Sequence, residues 1–205
     1  MFNKPDQKPF TPEERQSLLE EINALTGDLI EWADDDYFKK VIVVRTKNYI
    51  LDDGKKVKIK GSGLKGSMKE KALQAFMKET IDLLLKDRRD RIFYLYLKYA
   101  NEAANLSDIS QWCSKKTVTK AVLNPERTNE QRVSDALSEA EVSEGDKVFM
   151  FYKTPEELCL LENFDGTYDK SILLGKLYDT LSVFDTVIDI SLIPNLTLKR
   201  NADLI

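Results

Sequence analysis

The sequence predicts an α+β fold: a helix leading into a small antiparallel hairpin, then a mostly helical stretch that carries a second short β-hairpin. Three observations carry that expectation. Apolar residues recur at helical spacing in 18–29, 73–84 and 169–181. Residues 37–60 are rich in Val, Ile and Tyr, alternate Lys-Val-Lys-Ile-Lys over 56–60, and contain the turn pair Asp53-Gly54. A strong strand over 147–152 is followed by a returning strand over 158–162.

Taken in order, Thr11-Pro12-Glu13-Glu14 opens the first helix, with Thr as N-cap, Pro at the first helical position and Glu in the first turn. Leu18, Leu19, Ile22, Leu25 and Leu29 form its apolar stripe, and Gly27 weakens the last turn. The stretch 37–51 reads as a pair of strands, the main one running from Val41 to about Leu51. Asp53-Gly54 turns the chain into a strand whose two faces are apolar and basic. Gly61-Ser62-Gly63 breaks that strand, and Gly66-Ser67 is the hinge into the next helix. The division expected is therefore 1–66 and 67–205. Leu73, Phe76, Met77, Thr80, Ile81 and Leu84 stripe one helix, 87–90 is a charged connection, and 92–99 begins another. A turn at 107–110, a basic element at 115–120 and a helix over 128–137 precede the second hairpin and the last helix.

Composition narrows the functional classes. With 205 residues, 42% hydrophobic and 32% charged, the chain can bury a sizeable core, which excludes a disordered tract. No apolar run approaches the roughly 20 residues of a membrane span, and the N-terminus lacks a secretory apolar region, so a cytoplasmic location is expected. Cys113 and Cys159 read as reduced thiols. The absence of His excludes His-based triads and His-containing zinc sites.

The net charge of -4 hides segregation. Residues 13–36 carry nine acids and one Arg, 39–71 carry eleven basic residues and three acids, and 134–195 carry thirteen acids and four basic residues. Blocks of this kind suggest one face for a polyanion and others turned away from it. Arg45, Lys47, Lys58, Lys60 and Lys65, then Lys115, Lys116, Thr117, Thr119 and Lys120, are the candidate phosphate contacts, with Tyr49 among them. The Gly-rich loop 61–67 lacks P-loop spacing and is expected to let backbone N–H groups and Lys65 approach a phosphate. Asp34-Asp35-Asp36 reads as a solvated turn rather than a metal site, because neighbouring carboxylates diverge. Trp32 and Trp112 read as packed rather than stacked on bases.

The order of these elements resembles family B DNA polymerases over about 13–190. Thr46-Lys47-Asn48-Tyr49 is similar to the Lys-Lys-x-Tyr motif of the palm strand that faces the primer terminus, with Thr in place of the first Lys. Asp53 to Gly61 looks like the rest of that hairpin, and Lys65-Gly66-Ser67 stands where the family has a basic loop at the palm–thumb junction. Residues 108–120 resemble the thumb segment that often ends in Leu-Thr-Lys, Gly145-Asp146-Lys147-Val148 the Gly-Asp-Lys-Val strand, and 163–170 the lead into the last thumb helix. The catalytic motifs Asp-x-x-Ser-Leu-Tyr-Pro and Asp-Thr-Asp do not occur, nor do the fingers or the exonuclease carboxylates.

What the resemblance implies is the C-terminal end of a palm (1–66) plus a thumb (67–205), forming the small subunit of a split, viral or archaeal polymerase. Such a heterodimer would be a DNA-directed nucleotidyltransferase, this chain having no catalytic residues, no metal ligands and no activity alone. A large partner would carry palm, fingers and exonuclease and supply two aspartates with Mg²⁺. This chain would grip the primer–template, with Lys47 and Tyr49 near the 3′ end. A stand-alone nucleic-acid-binding accessory protein is the alternative, and a remnant of a longer polymerase a third. The apolar side of the hairpin, Ile42, Val44, Val57 and Ile59, is expected to pack on the partner's strands.

Overall fold

The computed structural model describes residues 8, 10–27, 30–34, 36–65 and 70–196. It is α+β, with helices around two small antiparallel sheets. Packing divides the chain into two units, Met1–Lys39 and Lys40–Ile205. No described helix is long and apolar enough to cross a membrane.

The first unit is built on α1 (Pro12–Thr26). Its start is a capping box: the Glu14 N–H donates to Thr11 Oγ1 at 3.2 Å, and the Thr11 N–H donates to Glu14 Oε2 at 2.8 Å. Gly27 takes a φ of 59° and turns the chain back. An extended segment then runs along the helix. The Asn23 amide accepts from the Trp32 N–H at 2.7 Å and donates to the Trp32 carbonyl at 2.9 Å. Arg15 reaches Asp34 at 3.4 Å and lies 5.1 Å from the centre of the Tyr37 ring. Despite its stripe, α1 buries no residue. Trp32 is half exposed, not packed as expected, because the return holds its backbone and leaves its ring outside. Asp35 and Leu29 lie outside the described residues, whereas Asp34 is engaged by Arg15.

The second unit opens with a three-stranded sheet, β1 (Lys40–Arg45), β2 (Asn48–Asp52) and β3 (Val57–Lys60), in the order β1-β2-β3. The single strand expected from Val41 to about Leu51 is two strands folded at Thr46-Lys47. The second connection is the predicted one. Asp53 Oδ1 accepts the N–H groups of Lys55 and Lys56, and Gly54 adopts a φ of 86°. A short helix, α2 (Ser62–Lys65), follows and buries Leu64.

The apolar sheet face does not wait for another chain. Ile42, Val44 and Ile50 are buried in one core with Phe76 and Leu84 of α3 (Lys71–Leu85), Tyr96 of α4 (Ile92–Ala104), and Trp112. Ile59 is half covered by that core, while Val57, at the start of the edge strand, is exposed. The expected boundary at Gly66-Ser67 lies outside the described residues, but the sheet before it and the helices after it share this core. Physically, the stripes of α3 and α4 share one core with the sheet's inner face, and that cover removes the need for foreign strands there.

A second sheet orders β4 (Ser114–Thr117), β5 (Lys147–Tyr152) and β6 (Leu158–Leu160). Alternation along β5 points Phe151 into the main core and Met150 into a smaller one. The smaller core joins Val122 of α5 (Lys120–Leu123) and Val133 of α6 (Thr128–Ala136). Finally α7 (Lys170–Ser182), capped by Asp169, places Leu177 and Leu181 in the main core.

Candidate nucleic-acid interface

Strand register decides which side chains share a face. Tyr49 pairs with Val43 on one side and Lys60 on the other, and Leu51 pairs with Lys58. The intervening Ile50 faces the core, so Tyr49, Lys58 and Lys60 lie together on the outward face. Sequence alternation groups Lys58 and Lys60 on one face, and the register adds Tyr49 to it. Lys56 precedes the strand.

The hairpin tip is tied into a compact knot. Lys47 has a φ of 64°, unusual for a side chain with a Cβ. A register shift between Val43 and Arg45 accompanies it. The Lys47 N–H donates to the Tyr49 hydroxyl at 3.3 Å, and the Asn48 amide donates to the Thr46 carbonyl at 3.0 Å. The Gly63 N–H donates to Asn48 Oδ1 at 3.0 Å. Gly61, with a φ of 110°, presses against the same tip: a Cβ there would sit 2.4 Å from the Lys47 carbonyl oxygen and 2.2 Å from Asn48 Oδ1. Gly61 and Gly63 of the Gly-rich segment therefore serve the hairpin tip. The Gly63 N–H, expected to face a phosphate, is engaged by Asn48. Lys65 ends α2, and its side chain lies outside the described residues.

Other candidates separate. Arg45 turns away from the lysine row, donating to Asp185 Oδ2 at 2.7 Å and to the Ser182 carbonyl at 3.1 Å. It anchors the sheet to the end of α7, helped by Thr186, whose hydroxyl donates to the Val44 carbonyl. On β4, alternation sends Lys116 to the side of Ser114, and exposed Lys115 and Thr117 to the other. Thr119 caps α5 by accepting from the Val122 N–H at 3.4 Å, and Lys120 is exposed in that helix. Trp112 is packed, as expected, with its indole N–H donating to Glu102 at 3.1 Å.

Gly63 and Lys116 line one cavity of about 400 Å³, with Ser114, Tyr152, Lys176 and Asp179. At its base lies buried Glu70, which accepts from Lys176 Nζ at 2.6 Å and from the Ser114 hydroxyl. Lys176 Nζ also lies 5.6 Å from the Tyr152 ring centre. Burial pushes the Glu70 carboxyl up, but the Lys176 hydrogen bond and charge, with Ser114, hold it below the ordinary glutamate value of 4.5. Sequence reasoning missed this triad. Lys176 offers a signal, since it interrupts the apolar run Ile172-Leu173-Leu174-Gly175-Lys176-Leu177; Glu70, between two lysines, offers none. Both cysteines are free, and burial raises the Cys113 thiol to about 11.

Comparison with protein-family models and with curated proteins finds no match for this chain. The reading of the surface thus rests on its residues and their geometry.

Proposed function

We propose that this chain grips nucleic-acid duplex as the small subunit of a split family B DNA polymerase, whose large subunit carries the catalytic aspartates. The observation that carries the reading is the outward row of Tyr49, Lys58 and Lys60 beside the hairpin tip at Lys47. A duplex backbone laid along this row meets two ammonium groups, and the tip extends the line toward one end. Past Gly63, Lys116 brings a lysine of the second basic element to the rim of the cavity, where Lys176 is already held by Glu70. This chain's work would be placement. Holding a primer end in line can lower a barrier by several kcal/mol, on the order of what proximity supplies elsewhere. The knot of Lys47, Asn48, Tyr49, Gly61 and Gly63 keeps that tip rigid. Mg²⁺ and the phosphoryl transfer belong to the partner in this reading.

The alternative, a stand-alone nucleic-acid-binding accessory protein, draws support from the second unit burying its sheet in its own core. One experiment separates the two. Duplex binding is measured against salt for the wild type, Lys58→Ala and Lys60→Ala, beside single-turnover primer extension after adding a large subunit that carries Asp-Thr-Asp. Each lysine substitution should flatten the salt slope by about one unit. Lys47→Ala and Tyr49→Phe should lower the extension rate more than duplex affinity. Primer extension by this chain alone, or no response of either quantity to any substitution, defeats the polymerase reading. Binding that responds while no large subunit restores extension selects the accessory protein.

A further inference from the structure

α1 and its return segment expose apolar side chains that no described residue of their own unit covers. Leu25 is 87% exposed, Ile30 57%, Trp32 49% and Tyr37 42%. None of the fifteen residues of α1 is buried. A helix of this length is marginal in water without packing on its apolar stripe. Trp, Tyr and a clustered Arg, here Trp32, Tyr37 and Arg15, are the side chains that anchor protein interfaces.

Charge selects the occupant. Residues 13–36 carry nine acids against one Arg. A nucleic acid or an anionic membrane would be repelled. A second copy of this chain would set the same acidic block against itself, because a two-fold interface is self-complementary. What fits is a different protein presenting an apolar groove rimmed by Lys and Arg. We infer that α1, with Ile30, Trp32 and Tyr37 of the return, is the docking element for such a partner. Resting on the proposed function, that partner is the large polymerase subunit. The interface therefore moves from the inner sheet face, which is already buried, to α1 and its return.

The test pairs Leu25→Asp/Trp32→Asp with Glu20→Lys/Glu21→Lys in the full chain. Affinity for an Asp-Thr-Asp-bearing large subunit from the same source is measured beside lone-chain melting and lone-chain duplex binding. The apolar pair should weaken the large subunit's binding at least 100-fold, and the charge pair about 10-fold, with melting and duplex binding unchanged. Unchanged affinity in both variants overturns the inference and leaves the polymerase reading standing. A large subunit that fails to bind even the wild type overturns both. A lone chain that sediments as a dimer and loses the dimer on Leu25→Asp/Trp32→Asp assigns the face to a second copy. A lone chain that melts earlier on the same change has that face covered already. Either of these last two results also overturns the inference.

Discussion

α1 and α3 are each fifteen residues long, yet α3 buries seven side chains and α1 buries none. Both carry an apolar stripe at helical spacing, and both have charged opposite faces. The difference lies in what meets the stripe. α3 faces the first sheet, α4 and α7 within one core. Among the described residues of its own unit, α1 is met by an extended return held by Asn23, Thr26 and Arg15. The lesson is that an amphipathic helix states a demand for cover without stating who supplies it. In the second unit the demand is met internally, and in the first the exposed Trp32 and Leu25 leave it standing.

The largest expected contrast comes from truncating each stripe. Phe76 is fully buried and packs edge-on against Tyr99 at 5.3 Å between ring centres. Phe76→Ala should cost about 3–5 kcal/mol, as large aromatic truncations do, whereas Leu18→Ala in the lone chain should cost less than about 1 kcal/mol. Urea unfolding of both variants checks this. Equal losses would break the comparison outright.

The helix starts should differ next. Glu70, just before α3, is held by Lys176, while α1 relies on an exposed capping box. Lys176→Met should cost about 2 kcal/mol by leaving a buried carboxylate unpaired, against about 1 kcal/mol for Thr11→Ala. The pH dependence sharpens the point. The folded Glu70 carboxyl lies below its ordinary 4.5, so its stabilisation is fully present above pH 4.5 and is lost as pH falls through the folded value. The gap between wild type and Lys176→Met should therefore close on acidification below pH 4.5. A gap that stays constant down to pH 3, about one and a half units lower, would remove Glu70 from the explanation.

The smallest effect should show no contrast. On the solvent side α3 pairs Asp82 with Lys86 at 2.7 Å, and α1 pairs Gln16 with Glu20 at 2.9 Å, each four residues apart. Lys86→Ala and Gln16→Ala should each cost about 0.5 kcal/mol or less. A larger loss in α3 would place the difference between the helices on their exposed faces as well.

Much of the architecture is readable in the chain because its signals are local. Thr11-Pro12 with Glu14 specifies a helix start by nearest-neighbour hydrogen bonds, Asp53-Gly54 specifies a turn through φ, and the stripe from Leu73 to Leu84 specifies a helix by period. The fold at Thr46-Lys47 escapes such reading because Lys rarely takes a positive φ, and the Asn48 that stabilises the tip does so through Gly63, fifteen residues away. The candidate surface divides in the same way. Alternation alone puts Lys58 and Lys60 on one face, whereas the pairing of Tyr49 with Lys60 needs the register.

By itself, then, the sequence determines the segregation of charge and the faces that need cover, and most of the element types, since these follow from spacing along the chain. Only the tertiary structure decides that Arg45 joins Asp185 instead of the lysine row, that Glu70 receives Lys176, and that Ile42 and Val44 are covered by helices of the same chain. Those partners are separated by 140, 106 and tens of residues respectively. Periodicity reports that a face demands cover and a charge needs a partner. It carries no information about which distant segment closes the loop and supplies them.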